Sequence, residues 1–140
     1  MKVREDTEEL FVQDKAYVME YLKARGIDGL GFEKIYESMN FGLLEESKFM
    51  VGTDPYEISH FLSKSDIPGY DIRKLNLLMN LEETESVAFA LVLGDDVLCY
   101  DKETAEVYLW LVQTDDGRKI TASKSVEEFM KKLSNEEENQ

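Results

Sequence analysis

The chain reads as an α+β protein: a single domain whose C-terminal half is an antiparallel β-meander packed against N- and C-terminal helices. Three observations lead there. From Leu75 onward, short runs rich in Val, Leu, Tyr and Trp alternate with acidic or glycine-containing turns, the pattern of consecutive antiparallel strands. Residues 7–25 and the segment opening at Ser125 instead carry apolar side chains at helical spacing. The length of 140 residues, 43% hydrophobic with 7 Phe, 7 Tyr and one Trp, supplies one core of ordinary size.

In chain order, Asp6 and Glu9 have the spacing of a capping box. Leu10, Phe11, Tyr17, Val18, Tyr21 and Leu22 then recur at roughly helical spacing up to Gly26, so the first helix is expected over residues 7–25. Gly29, Gly31 and Gly42 divide residues 27–46 into short turns and loops. Lys48 to Thr53 suits a short strand. Asp54-Pro55-Tyr56-Glu57 places a capping residue, a proline at the first helical position and a glutamate at the third, which predicts a short helix running to Ser63. Ile67-Pro68-Gly69 makes a turn.

Strands are then expected at Leu75 to Leu81, Val87 to Leu93, Val97 to Tyr100 and Val107 to Gln113, so that four or five strands form one meander. Their connections are a hairpin at Gly94-Asp95-Asp96, a turn from Asp101 to Ala105 and another at Thr114-Asp115-Asp116-Gly117. Ser125-Val126-Glu127-Glu128 is a second capping box. It opens a helix in which Val126, Phe129, Met130 and Leu133 share one face, and that face needs a sheet to cover. The domain is expected to span residues 1–134, with 135–140, polar and carrying three glutamates, as a flexible acidic tail.

Reactive side chains are few. His60 is the only histidine and has no cysteine or second histidine at metal-ligand spacing, so a structural role is expected. Cys99, the only cysteine, lies between Leu98 and Tyr100 in a predicted strand and reads as packing. The acidic turns lack the alternating oxygen ligands of a calcium loop, and Gly29-Leu30-Gly31 has no later partner that would make a phosphate cradle. The sequence is therefore read as non-enzymatic, with no catalytic residue, cofactor or metal site. One cysteine and no secretory leader pattern indicate a cytoplasmic location. No apolar run approaches the roughly 18 residues of a membrane span.

A net charge of −14 repels phosphate backbones, which disfavours direct nucleic-acid binding, and attracts basic partners. Such a charge equally serves solubility, so its distribution decides. Residues 82–117 hold ten acids and one base, Lys102, which is more than half of the net charge. Most of these acids fall in or beside turns, where they would concentrate. Asp95, Asp96, Tyr100, Asp101, Glu103 and Glu106 are accordingly the candidate partner-binding residues, facing a protein with a basic surface. Tyr108 and Trp110 share one strand face and carry two readings, interface anchor and core packing.

The run Gly94-Asp95-Asp96-Val97-Leu98-Cys99-Tyr100-Asp101, then Thr104-Ala105-Glu106-Val107-Tyr108-Leu109-Trp110, then Ser125-Val126-Glu127-Glu128-Phe129 and Leu133, resembles the SUKH superfamily. Its members show a strand ending in an acid, a short turn, a strand of the E-V-Y-x-W type and a terminal helix opening S-x-E-E-F. Phe61-Leu62-Ser63 through Ile67-Pro68-Gly69 is similar to an upstream segment of some subgroups, so the likeness covers residues 55–133. Ala105 stands where many members have glycine.

The resemblance implies an antiparallel sheet packed against helices. For most bacterial members it implies a non-enzymatic role as an immunity protein that neutralises a polymorphic or contact-dependent toxin, often a nuclease or deaminase, by direct binding. The alternative it leaves open is a regulatory or scaffold module that binds an endogenous protein.

Overall fold

Tight turns and alternating apolar residues dictate the sheet. The structure, a computed structural model, describes residues 15–27, 32–33, 48–94, 96–112 and 117–138, with side chains through residue 132. Six strands pair antiparallel in chain order: β1 (Lys48–Val51), β2 (Asp54–Phe61), β3 (Ser86–Val92), β4 (Asp96–Asp101), β5 (Val107–Trp110) and β6 (Lys119–Ser123). Helices α1 (Lys15–Ala24), α2 (Ile72–Leu78) and α3 (Val126–Glu138) complete the expected α+β fold. Gly52 turns β1 into β2 at φ 64°, a backbone region that glycine enters without a Cβ penalty.

Two expected elements change type. Asp54 to Ser63, expected as a helix from its capping signals, is instead mostly the strand β2. A helix cap contributes only about 1 kcal/mol. As a strand the same residues pair with β1 through Asp54–Glu57 and with β3 through Ile58–Phe61, and they bury Ile58, His60 and Phe61. Pro55, which has no N–H to donate, lies where only β1 flanks the strand.

Leu75 to Leu81, expected as the first strand of the meander, is instead mostly the helix α2. Asp71 caps it, its carboxylate accepting from the backbone N–H groups of Arg73 and Lys74 at 2.9 Å each. The helical period buries Ile72 and Asn76 and leaves Leu77 and Leu78 outside. Lys119 to Ser123, not named as a strand from sequence, is β6.

Register assigns the faces, because directly paired residues lie on the same side of a sheet. Phe61, Ala90, Leu98 and Leu109 align on one side, as do Val87, Tyr100 and Val107. Phe89 centres an aromatic core on this side, its ring centroid 5.1 Å from Phe32, 6.2 Å from Phe61 and 6.3 Å from Phe129 of α3. Full burial of each such side chain is worth about 1.5–3 kcal/mol. On α3, Val126 and Phe129 are buried and Met130 half-buried, so the helix covers the sheet as its spacing predicted. The Ser125 hydroxyl accepts from Glu128 N–H at 3.1 Å, and Glu128 in turn accepts from Lys124 N–H at 3.3 Å. The α3 backbone stays helical to Glu138.

The sheet curls until its first and last strands touch beside α3. There Lys132 Nζ donates to Met50 O of β1 and to Ala122 O of β6, at 2.6 Å each.

Asn76 joins α2 to the sheet. Beyond Leu62, whose N–H still donates to Phe89 O at 2.9 Å, the chain leaves β3, and Ala88 has no strand neighbour on that side. The fully buried Asn76 side chain takes its place: Oδ1 accepts from Ala88 N–H at 2.8 Å, and Nδ2 donates to Ala88 O at 2.9 Å and to Ile72 O at 2.7 Å. Asn76→Ala would leave the Ala88 N–H and C=O buried without partners, and an unsatisfied buried group costs about 1–3 kcal/mol. Urea unfolding should therefore show a stability loss of about 2–4 kcal/mol with an unchanged m value. Leu77→Ala, on the exposed side of the same helix, should cost under about 0.5 kcal/mol.

Candidate functional site

The turn between β4 and β5 is held by its own first residue. Asp101 Oδ1 accepts from Glu103 N–H at 2.9 Å, Asp101 O accepts from Ala105 N–H at 2.8 Å, and Asp101 N–H donates to Glu106 O at 3.0 Å. Closing the turn puts Ala105 at φ 63°, the left-handed region that an L side chain enters at a cost and where the resembled family often has glycine.

The turn sets Asp101 and Glu106 against a polar recess of about 200 Å³ whose other walls include Ser86, Tyr108, Lys119 and Thr121. Tyr108 donates its hydroxyl to Ser86 Oγ at 2.7 Å, and burial raises its phenol well above the ordinary value. Lys119 Nζ sits 5.4 Å from the Tyr108 ring centroid and 5.3 Å from that of Trp110, a cation–π arrangement. All of this lies on the sheet face opposite Phe89, where Leu91, Val97, Trp110 and Lys119 form one row and Ala88, Cys99, Tyr108 and Thr121 the next. Leu91 and Trp110 are half-buried, Lys119 and Thr121 exposed, and the small residues beneath them fully covered.

The sequence-derived candidates divide between two faces and two ends of β4. Asp101 and Glu106 meet at the recess, both half-buried, with Glu103 exposed in the adjoining turn. Tyr100 points to the other face, its ring edge-on to Phe32 at 5.4 Å between centroids. Asp96 opens β4 at its far end, in register with Val92. Asp95 lies outside the described residues. Of the two aromatics with open readings, Tyr108 is buried and Trp110 half-buried, so each does some of both. Lys119 and Thr121 were missed because β6 was not recognised. The signal was present in Lys119-Ile120-Thr121-Ala122, an alternation of polar and apolar residues with β-branched members.

The only histidine and the only cysteine are both committed to structure. His60 is buried in β2, its Nε2 donating to Gly69 O at 2.9 Å, its Nδ1 3.1 Å from Ser59 Oγ and its ring 4.2 Å from that of Tyr70. Cys99 is fully buried, and burial pushes its thiol up to about 12. Among the described residues no group of three His, Cys, Asp or Glu is placed to hold a metal ion, and no helix is long and apolar enough to cross a membrane. Comparison with known proteins finds no matching family model, curated protein or solved structure.

Two measurements probe this region. Cys99 has an ordinary value of 9.0, so between that pH and about 12 the folded chain retains a proton that the unfolded chain has lost, and stability falls as pH rises. The slope for one group approaches about 1.4 kcal/mol per pH unit, and urea midpoints of Cys99→Ala should decline less steeply above pH 9 than those of the parent. Ala105→Gly relieves the left-handed alanine at some cost in unfolded-chain entropy, and should raise stability by about 0.5–1 kcal/mol in the same assay.

Proposed function

We propose that the chain is an immunity protein that neutralises a polymorphic or contact-dependent toxin, a nuclease or deaminase with a basic surface, by direct non-catalytic binding in the cytoplasm. The observation that carries the reading is the recess at the β4–β5 turn. Two carboxylates, Asp101 and Glu106, stand beside a sheet face of Tyr108 and Trp110, so acidic groups that draw in a basic partner adjoin aromatic side chains of the kind that anchor interfaces.

Further support comes from the turn that carries the family resemblance, which folds around a left-handed residue, and from the S-x-E-E-F segment, which opens a helix packed on the sheet. The engagement of His60 and Cys99 in the core favours binding over nucleophilic catalysis.

Co-expression with the product of the neighbouring gene tests the reading. Growth rescue together with co-purification is expected. A neighbour that is neither toxic nor bound would favour the regulatory or scaffold alternative. With a complex in hand, Asp101→Asn combined with Glu103→Gln and Glu106→Gln should slow association about tenfold at low salt and flatten its salt dependence. An unchanged association rate would place the interface away from this turn.

A further inference from the structure

Basic side chains are a minority on this chain, 16 against 30 acids, yet four gather where α1 meets α2. The Arg73 guanidinium lies 5.2 Å from the Tyr17 ring centroid and 5.6 Å from that of Tyr21. Lys64 sits 5.7 Å over Tyr17, and Arg25 5.8 Å over Tyr21. The two tyrosines are one helical turn apart and locked at their hydroxyls. Tyr17 donates to the Asp71 carboxylate at 3.0 Å; Tyr21 donates to Glu82 at 3.2 Å and accepts from Arg25 at 2.8 Å.

The cations differ in what they have left to offer. Arg25 is buried and spends its donors on the carbonyls of Leu81, Thr84 and Ser86 at 2.8, 3.1 and 3.0 Å. Lys74 Nζ donates to Ser65 O at 3.0 Å. Arg73 is exposed, and among the described residues its guanidinium makes no ion pair. It is thus positioned by two rings while its planar fork of donors stays available.

Beside it opens a recess of about 380 Å³, bounded in part by Tyr21, Ala24, Arg73, Lys74 and Leu77. The acid in its wall, Glu82, is already engaged by Arg25 at 3.4 Å. Leu77 and its neighbour Leu78 are 65% and 64% exposed, which leaves apolar surface next to the unspent cation.

We propose that this recess is a second docking surface that takes an acidic-apolar segment of a partner protein, a carboxylate on Arg73 and a leucine-like side chain on Leu77. Charge complementarity selects the occupant. A locally cationic recess recruits acid, while the net charge of −14 disfavours an extended polyanion such as nucleic acid and leaves a short acidic segment with an apolar contact. The proposal stands apart from the acidic face and does not depend on the immunity reading.

The test is an NMR titration of the full, isotopically labelled chain at low salt with acetylated Glu-Leu-Leu-Glu peptide. Lys-Leu-Leu-Lys and Glu-Ser-Ser-Glu peptides and sodium phosphate serve as controls. Shifts confined to residues 21–25 and 73–82, seen with Glu-Leu-Leu-Glu and weakened about fivefold by Arg73→Ala and by Leu77→Ser, are expected. Arg73→Lys, which keeps the charge and loses the fork, should fall between. Equal shifts with phosphate or with Lys-Leu-Leu-Lys, no shifts at millimolar peptide, or peptide-independent shifts that grow with protein concentration and so mark a second copy as the occupant, would each overturn it.

Discussion

One amide side chain bonds the helix that follows β2 to the edge of β3. Where β2 turns away, β3 would present an unpaired, buried N–H and C=O at Ala88, and Asn76 answers both while bonding its own helix at Ile72. Around that junction Asp71 ties the helix start to Ser65 N–H at 3.0 Å and to the Tyr17 hydroxyl, and so fixes α1 as well. Arg25 then fastens the end of α1 to the carbonyls entering β3. Each is a polar group that burial forces to find a partner, and together they set where apolar surfaces meet. A core of phenylalanines supplies the driving force, but these directional bonds choose one arrangement of it.

Much of the meander was legible from sequence because its signals are local and mutually consistent: β3, β4 and β5 alternate or run apolar between turn residues, and Ser125 caps the last helix as its spacing requires. The two errors in element type arose where local signals and tertiary context disagree. Asp54-Pro55-Tyr56-Glu57 is a helix opening by every short-range criterion, yet the pairing of the whole strand, with β1 at its start and with β3 from Ile58 on, outweighs it. Leu75, Leu77, Met79 and Leu81 alternate like a strand, and only the buried Asn76 shows that the true period is helical.

The candidate binding residues were legible as a charge excess but not as a constellation. Counting acids pointed to the β4–β5 turn, where Asp101 and Glu106 line one recess with Glu103 beside them. It took no account of strand alternation, which sends Tyr100 toward Phe32 and Asp101, next in sequence, toward Tyr108. The cationic cluster where α1 meets α2 was invisible for a related reason: Arg25, Lys64 and Arg73 are far apart in sequence, and the helix that presents Arg73 carries no helical signal recognised in the sequence.

The ammonium of Lys132 has one more consequence. A six-stranded sheet that does not close completely has two rims of unpaired backbone, and such rims are templates on which another chain can add a strand. Here the rims curl toward each other, and one lysine from α3 occupies a carbonyl on each, Met50 O and Ala122 O. The charge guarding the seam cannot be buried under an incoming strand without losing its water. A helix that packs the core therefore also shields the seam of the sheet against the addition of a further strand.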